Sequence, residues 1–129
     1  MLRFIDSPAA RAAKLPFSQA VRVGDVLYLS GAIGNVPGSM ELVPGGIQAE
    51  TRRAMDNIGA LLGENGLTFD HVFKVTVMLA DMASWAAFNE VYLTYFQADR
   101  LPARSAFGAA GLALGAQVEL ECMAWAGSG

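Results

Sequence analysis

From residue 117 to residue 125 the chain alternates with a period of two. Val118, Leu120, Cys122 and Ala124 are apolar, and Glu119, Glu121, Met123 and Trp125 fall between them. Only an extended strand sorts such a series onto two separate faces. One face can be buried. The other carries two carboxylates that need solvent or partners, because an unpaired buried carboxylate is very costly. The segment therefore requires a sheet, and the sheet requires something to cover its apolar face.

The rest of the chain supplies the cover. Residues 19–23 and 26–30 flank Gly24-Asp25 and read as a hairpin. Residues 47–62 read as a helix that ends at Asn65-Gly66. Ile47, Thr51, Ala54, Ile58, Leu61 and Leu62 share its buried face, while Glu50, Arg53, Asp56 and Asn57 lie mostly elsewhere. Residues 72–80 read as a strand, with Phe73, Val75, Val77 and Leu79 on one face and Val72, Lys74, Thr76, Met78 and Ala80 on the other. Asp81 or Ser84 can cap a second helix running to Phe96, with Trp85, Phe88, Tyr92, Tyr95 and Phe96 as its stripe. Pro102 bars further helix, and residues 104–108 return to extended chain. The order ββαβαββ predicts an α+β fold, a mixed sheet with both helices on one face. We expect a single domain over residues 1–129, with an N-terminal segment at 1–15 and a frayed tail at 127–129.

That arrangement leaves one sheet face bare within a single chain. Hydrophobic residues make up 53% of the sequence and charged residues only 16%, so the bare face is not expected to meet water. No apolar run approaches the ~20 residues of a membrane-spanning helix. The surplus points to burial against copies of the same chain. A net charge of −3 and scattered basic residues argue against a nucleic-acid footprint. One cysteine and one histidine cannot form a Cys/His zinc site within a chain. The first residues lack the apolar stretch of a signal peptide, and a cytoplasmic location is expected.

Candidate chemistry centres on Arg104, which starts an otherwise apolar strand after Pro102-Ala103. A guanidinium there suits bidentate capture of a carboxylate. The spacing leaves two partners open: Glu119 or Glu121 of the last strand, or the carboxylate of a substrate with a glutamate steering water beside it.

A series of short motifs occurs in a familiar order. They are Phe17-Ser18-Gln19-Ala20, Leu29-Ser30-Gly31 followed by Ile33-Gly34, Lys74-Val75-Thr76-Val77, Phe88-Asn89-Glu90-Val91-Tyr92, Pro102-Ala103-Arg104-Ser105 and Val118-Glu119-Leu120-Glu121. Together they resemble the Rid family of reactive-intermediate deaminases, also called YjgF-type or L-PSP proteins, from about Pro16 to Trp125. The resemblance implies a chorismate-mutase-like fold assembled as a homotrimer around a central barrel of sheets, with the helices outside. It implies hydrolysis of 2-imino acids to 2-keto acids and ammonia in clefts between subunits, without cofactor or metal. By position it makes Arg104 the clamp for the substrate carboxylate and Glu119 the group that orients or activates water. It places Phe17, Ser30, Gly31, Asn89 and Ala106 around the ligand. The chain departs from the family at Phe17, where many deaminating members carry Tyr, at Ala32, often Gln, and at Ala106, often Cys.

Other readings are weaker. A non-catalytic trimer that binds small carboxylates would keep Arg104 and tolerate Phe17 and Ala106. Ribonuclease activity finds no basic stripe and no second group to pair with His71, which reads as a surface histidine. Cys122 reads as a buried, inert thiol, and Trp85, Tyr92 and Phe96 as packing. Lys74 is expected to reach solvent or a neighbouring subunit's carboxylate. Ser30-Gly31 lacks the frame of a nucleophile elbow, and Gly31-Ala32-Ile33-Gly34 lacks the lysine and following helix of a phosphate loop.

Overall fold

The computed structural model describes residues 1–127; Ser128 and Gly129 of the tail lie outside the described residues. The strands are β1 (Leu2–Ile5), β2 (Ala20–Val23), β3 (Val26–Leu29), β4 (Val72–Leu79), β5 (Ala103–Gly108) and β6 (Val118–Trp125), and the helices are α1 (Pro8–Ala12), α2 (Ile47–Glu64) and α3 (Trp85–Tyr92). The strands form one sheet in the order β1-β2-β3-β6-β4-β5. Neighbours run antiparallel except β4 and β5, which are parallel. A parallel pair needs a crossover, and α3 provides it.

Alternation along β6 behaves as its sequence requires. Val118, Leu120, Cys122 and Ala124 are buried and pack with Leu27, Val75, Val77 and Leu79 beneath Ala54, Ile58 and Leu62 of α2 and Phe88 of α3. Each buried Val, Leu, Ile or Phe among them contributes about 1.5–3 kcal/mol. Both helices thus cover the same face. Among the described residues nothing covers the opposite face: its rows present Phe4, Tyr28, Phe107 and Trp125, all exposed. Among the described residues no helix is long and apolar enough to cross a membrane.

Four local expectations need correction. The N-terminal segment adds a sixth strand, Leu2 pairing with Val23 and Phe4 with Val21, followed by a short helix. Ser7 caps that helix by accepting from the Ala10 N–H, and Pro8 stands in its first turn. A four-residue strand carries too little alternation to be legible alone. In β4 the register slips between Val72 and Lys74. The bulge turns Val72 inward and leaves Phe73 43% exposed, so the predicted face parity fails at the first two residues. The second helix is broken into a turn at Met82–Ser84 capped by Asp81, α3 itself, and a turn at Leu93–Tyr95, and Trp85 at its start is 45% exposed. Glu50, assigned to the polar face of α2, is 5% exposed and accepts a hydrogen bond from the Gln117 N–H at 2.9 Å.

Candidate functional site

Arg104 lies on β5, the edge strand, and pairs in register with Val75. Val75 is in the core, so Arg104 turns toward the helices. There the guanidinium donates from Nη1 to the Asn89 side-chain oxygen at 2.8 Å. It lies 4.8 Å from the ring centre of Tyr92, 5.6 Å from Phe88 and 5.8 Å from Trp85. The negative ring faces stabilise the cation without neutralising it. Trp85, Phe88, Asn89 and Tyr92 follow helical i, i+3, i+4, i+7 spacing, which gathers all four around one cation. The sequence read these aromatics as packing only. Phe88 and Tyr92 are indeed buried, but they and Trp85 also line the guanidinium, so the packing reading is incomplete for all three.

Of the two partners the spacing left open for Arg104, the internal one, Glu119 or Glu121, forms no ion pair with it among the described residues. Among the described residues the ion pairs are Arg11 with Asp6 and Arg22 with Asp25, each at 3.9 Å. Arg104 therefore has no carboxylate within reach among them. Its guanidinium is held by a neutral amide and aromatic rings and not by a carboxylate, and a half-buried guanidinium in that state favours an incoming anion. Ala106, two residues on, shares its face of β5 and packs partly against the core.

A second cluster forms on the other side of the sheet. Glu119 pairs with Met78, which pairs with Phe107, and all three stand on the bare face. Ala32 pairs with Leu120 across two backbone hydrogen bonds, bringing the chain after β3 against β6. Gly31 stands at that approach, where a Cβ would displace the Glu119 carboxylate. The Ser30 hydroxyl donates to the Ser18 carbonyl at 2.6 Å, which sets exposed Phe17 one residue from the cluster. Burial raises the Glu119 carboxyl above the usual carboxylate range, and the nearby Glu121 charge raises it further.

The two clusters are far apart within one chain. The Arg104 row and the Glu119 row are three residues apart along β4, about 10 Å, and they face opposite ways. A single small molecule cannot touch both in one protomer. Arg104 and Asn89 form one group, and Gly31 and Glu119 the other, with Ser30 adjoining Gly31 and bonded to Ser18, the residue after Phe17.

The residues outside these halves carry little chemistry. The His71 ring accepts from the Thr68 N–H at 3.0 Å inside a capping turn. Cys122 is buried, and burial followed by the Glu121 charge pushes its thiol up to about 12. Lys74 donates to the Ser105 hydroxyl at 3.3 Å.

Comparison with known proteins agrees with this architecture. A mouse protein named 2-iminobutanoate/2-iminopropanoate deaminase is 45% identical over 122 residues, covering 95% of this chain and 90% of the mouse protein. The crystal structure of RidA from the Antarctic bacterium Psychrobacter superposes with a TM-score of 0.86 at 35% identity, covering 95% of this chain and 98% of that one. YyfA from Yersinia pestis, described as a protein of unknown function of the conserved Rid family, superposes with a TM-score of 0.88 at 34% identity, covering 97% and 99%. Residues 7–126 match the family described as Endoribonuclease L-PSP. The chain therefore belongs to the Rid, or L-PSP, family.

Proposed function

We propose that this chain is a hydrolytic deaminase that converts reactive 2-imino acids to 2-keto acids and ammonia, at sites completed by a neighbouring copy in a homotrimer. One observation carries the reading: Arg104 holds no carboxylate of its own among the described residues and is braced by a neutral amide and three rings. The deaminase name of the mouse relative supports the reaction class. The division of the site between opposite sheet faces supports assembly, because only a second chain can bring a Glu119 to an Arg104. The bare apolar face is the surface available for that contact.

Arg104 clamps the substrate carboxylate and Asn89 fixes the guanidinium. Holding the substrate this way converts attack by water into an effectively unimolecular step. Water adds to the carbon of the protonated C=N bond, and its proton passes to Glu119. The tetrahedral carbinolamine then expels nitrogen as ammonia while its hydroxyl proton is released and the C=O bond forms. Glu119 returns its proton to the departing nitrogen. The overall change is imine plus water to ketone plus ammonia, with no change of oxidation state. A carboxyl raised above its usual range suits both halves of this exchange. The Gly31 backbone lies beside Glu119, and Phe17 and Ala106 offer apolar walls in place of a hydroxyl and a thiol.

The test couples an amino-acid oxidase or dehydratase to keto-acid detection. Wild type should accelerate keto-acid release and Arg104→Ala should not. Equal rates would overturn the assignment. Phe17 and Ala106 favour a second reading, a trimer that binds small carboxylates without turnover. It would show Arg104-dependent thermal stabilisation by 2-ketobutyrate with imine hydrolysis at background. RNA cleavage, the activity in the family's description, has less support: the only histidine is engaged in a turn and the net charge is −3.

A further inference from the structure

Among the described residues Glu50 is the one nearly buried charged side chain, and neither half of the site uses it. It stands in the first turn of α2, where the helix N-terminus favours a negative group. Its Oε1 accepts from the Gln117 N–H at 2.9 Å. Gln117 is two residues before Glu119 and just outside the β6 ladder, where its carbonyl accepts from the Ala80 N–H at 3.0 Å. The Glu50 carboxylate thus fixes the point at which the chain enters β6.

The same turn touches the other arm of the Glu119 cluster. Gly34 lies flat against the Glu50 backbone, where an added Cβ would sit 2.6 Å from the Glu50 carbonyl oxygen. Two turns later, Asn57 donates to the Ile33 carbonyl at 3.2 Å and the Asn35 carbonyl at 3.0 Å. One face of α2 therefore holds both segments that meet at Gly31 and Glu119. Without the Glu50 carboxylate the Gln117 N–H loses its partner, and the strand start is held from one side only.

We infer that Glu50 is a positioning residue for the reaction, setting the placement of Glu119 against Gly31 through the Gln117 backbone. The inference rests on the deaminase reading above. It makes Glu50 act on the water-handling half through the Gln117 backbone, while no hydrogen bond joins Glu50 to Arg104 or Asn89 among the described residues. Loss of Glu50 should therefore lower kcat far more than it raises KM.

The experiment compares wild type, Glu50→Ala, Glu50→Asp and Glu50→Gln in the coupled assay, each checked for assembly by light scattering. Glu50→Gln keeps the chain length and an acceptor for the Gln117 N–H, and should stay within about threefold of wild type. Glu50→Ala, which has no acceptor, should lose about tenfold or more in kcat with KM within twofold. If Glu50→Ala does not fold, Glu50→Asp decides: it keeps the charge one methylene short and should show the same kcat loss. Hydrogen exchange at the Gln117 amide should be slow in wild type and Glu50→Gln and faster in the other two. Wild-type kcat in folded Glu50→Ala or Glu50→Asp, or a loss carried by KM, would overturn the inference while leaving the deaminase reading intact. Wild type no faster than Arg104→Ala would sink the deaminase reading and the inference with it.

Discussion

Gly31→Ala tests the Glu119 half of the site with a single methyl group. Gly31 has no positive φ that would strain another residue. The added Cβ would collide with the Glu119 Oε2 and come within 3.0 Å of its Cδ. Ordinary carbon contacts lie near 3.5–4.0 Å, so the carboxylate must withdraw by about 1 Å or more. The obstacle is the end of a flexible side chain, so the fold should tolerate the change and the melting temperature should barely move. Catalysis should not tolerate it: a misplacement of about 1 Å can lower a rate by about 10²-fold, equivalent to about 2.7 kcal/mol. The coupled keto-acid assay on the assembled protein should show kcat falling by that order, with KM rising much less. A kcat within twofold of wild type would refute the reasoning, since Glu119 would then be displaced without consequence.

Three further outcomes are expected. Glu121→Gln removes one of the two causes that raise Glu119, so its carboxyl should ionise at lower pH; the acid limb of the kcat/KM profile should move to lower pH, and an unmoved or raised limb contradicts it. Tyr92→Phe deletes a buried hydroxyl that has no well-formed hydrogen bond among the described residues, and should stabilise the fold by about 1 kcal/mol in denaturant titration while keeping the ring beneath Arg104; a less stable variant would mean that the hydroxyl is satisfied, with Arg104 as its nearest donor. Met123→Asp places a charge on the bare sheet face, and should reduce both the assembled mass by light scattering and the turnover together; full activity in a monomer would exclude a site shared between chains.

The strands and helices that carry the core were legible because their periods are unbroken, as in β6, where every second residue is buried. Legibility failed where a single residue changes the phase. The bulge at Phe73 inverts the assignment of Val72 and Phe73, and nothing in their composition announces it. Glu50 sits among polar residues of α2 and is buried because the Gln117 backbone, far along the chain, needs an acceptor. For the site, the residue pattern singled out Arg104 and left Glu119 and Glu121 open, and the resemblance chose Glu119 and added Asn89 and Gly31. Their division between the two sheet faces depends on the register of β4 with β5 and β6, which spacing alone does not reveal. The aromatic setting of Arg104 did have a signal, the helical spacing of Trp85, Phe88 and Tyr92, but that pattern equally describes ordinary packing.

The outward divergence of Arg104 and Glu119 has a genetic counterpart in the proposed homotrimer. A chain lacking the arginine still lends its glutamate, and a chain lacking the glutamate still lends its arginine. In any ring of three that mixes the two defective chains, one seam unites the sound arginine of one with the sound glutamate of the other. Random co-assembly would restore roughly a quarter of the sites. Two alleles, each silent alone, would then complement inside one cell.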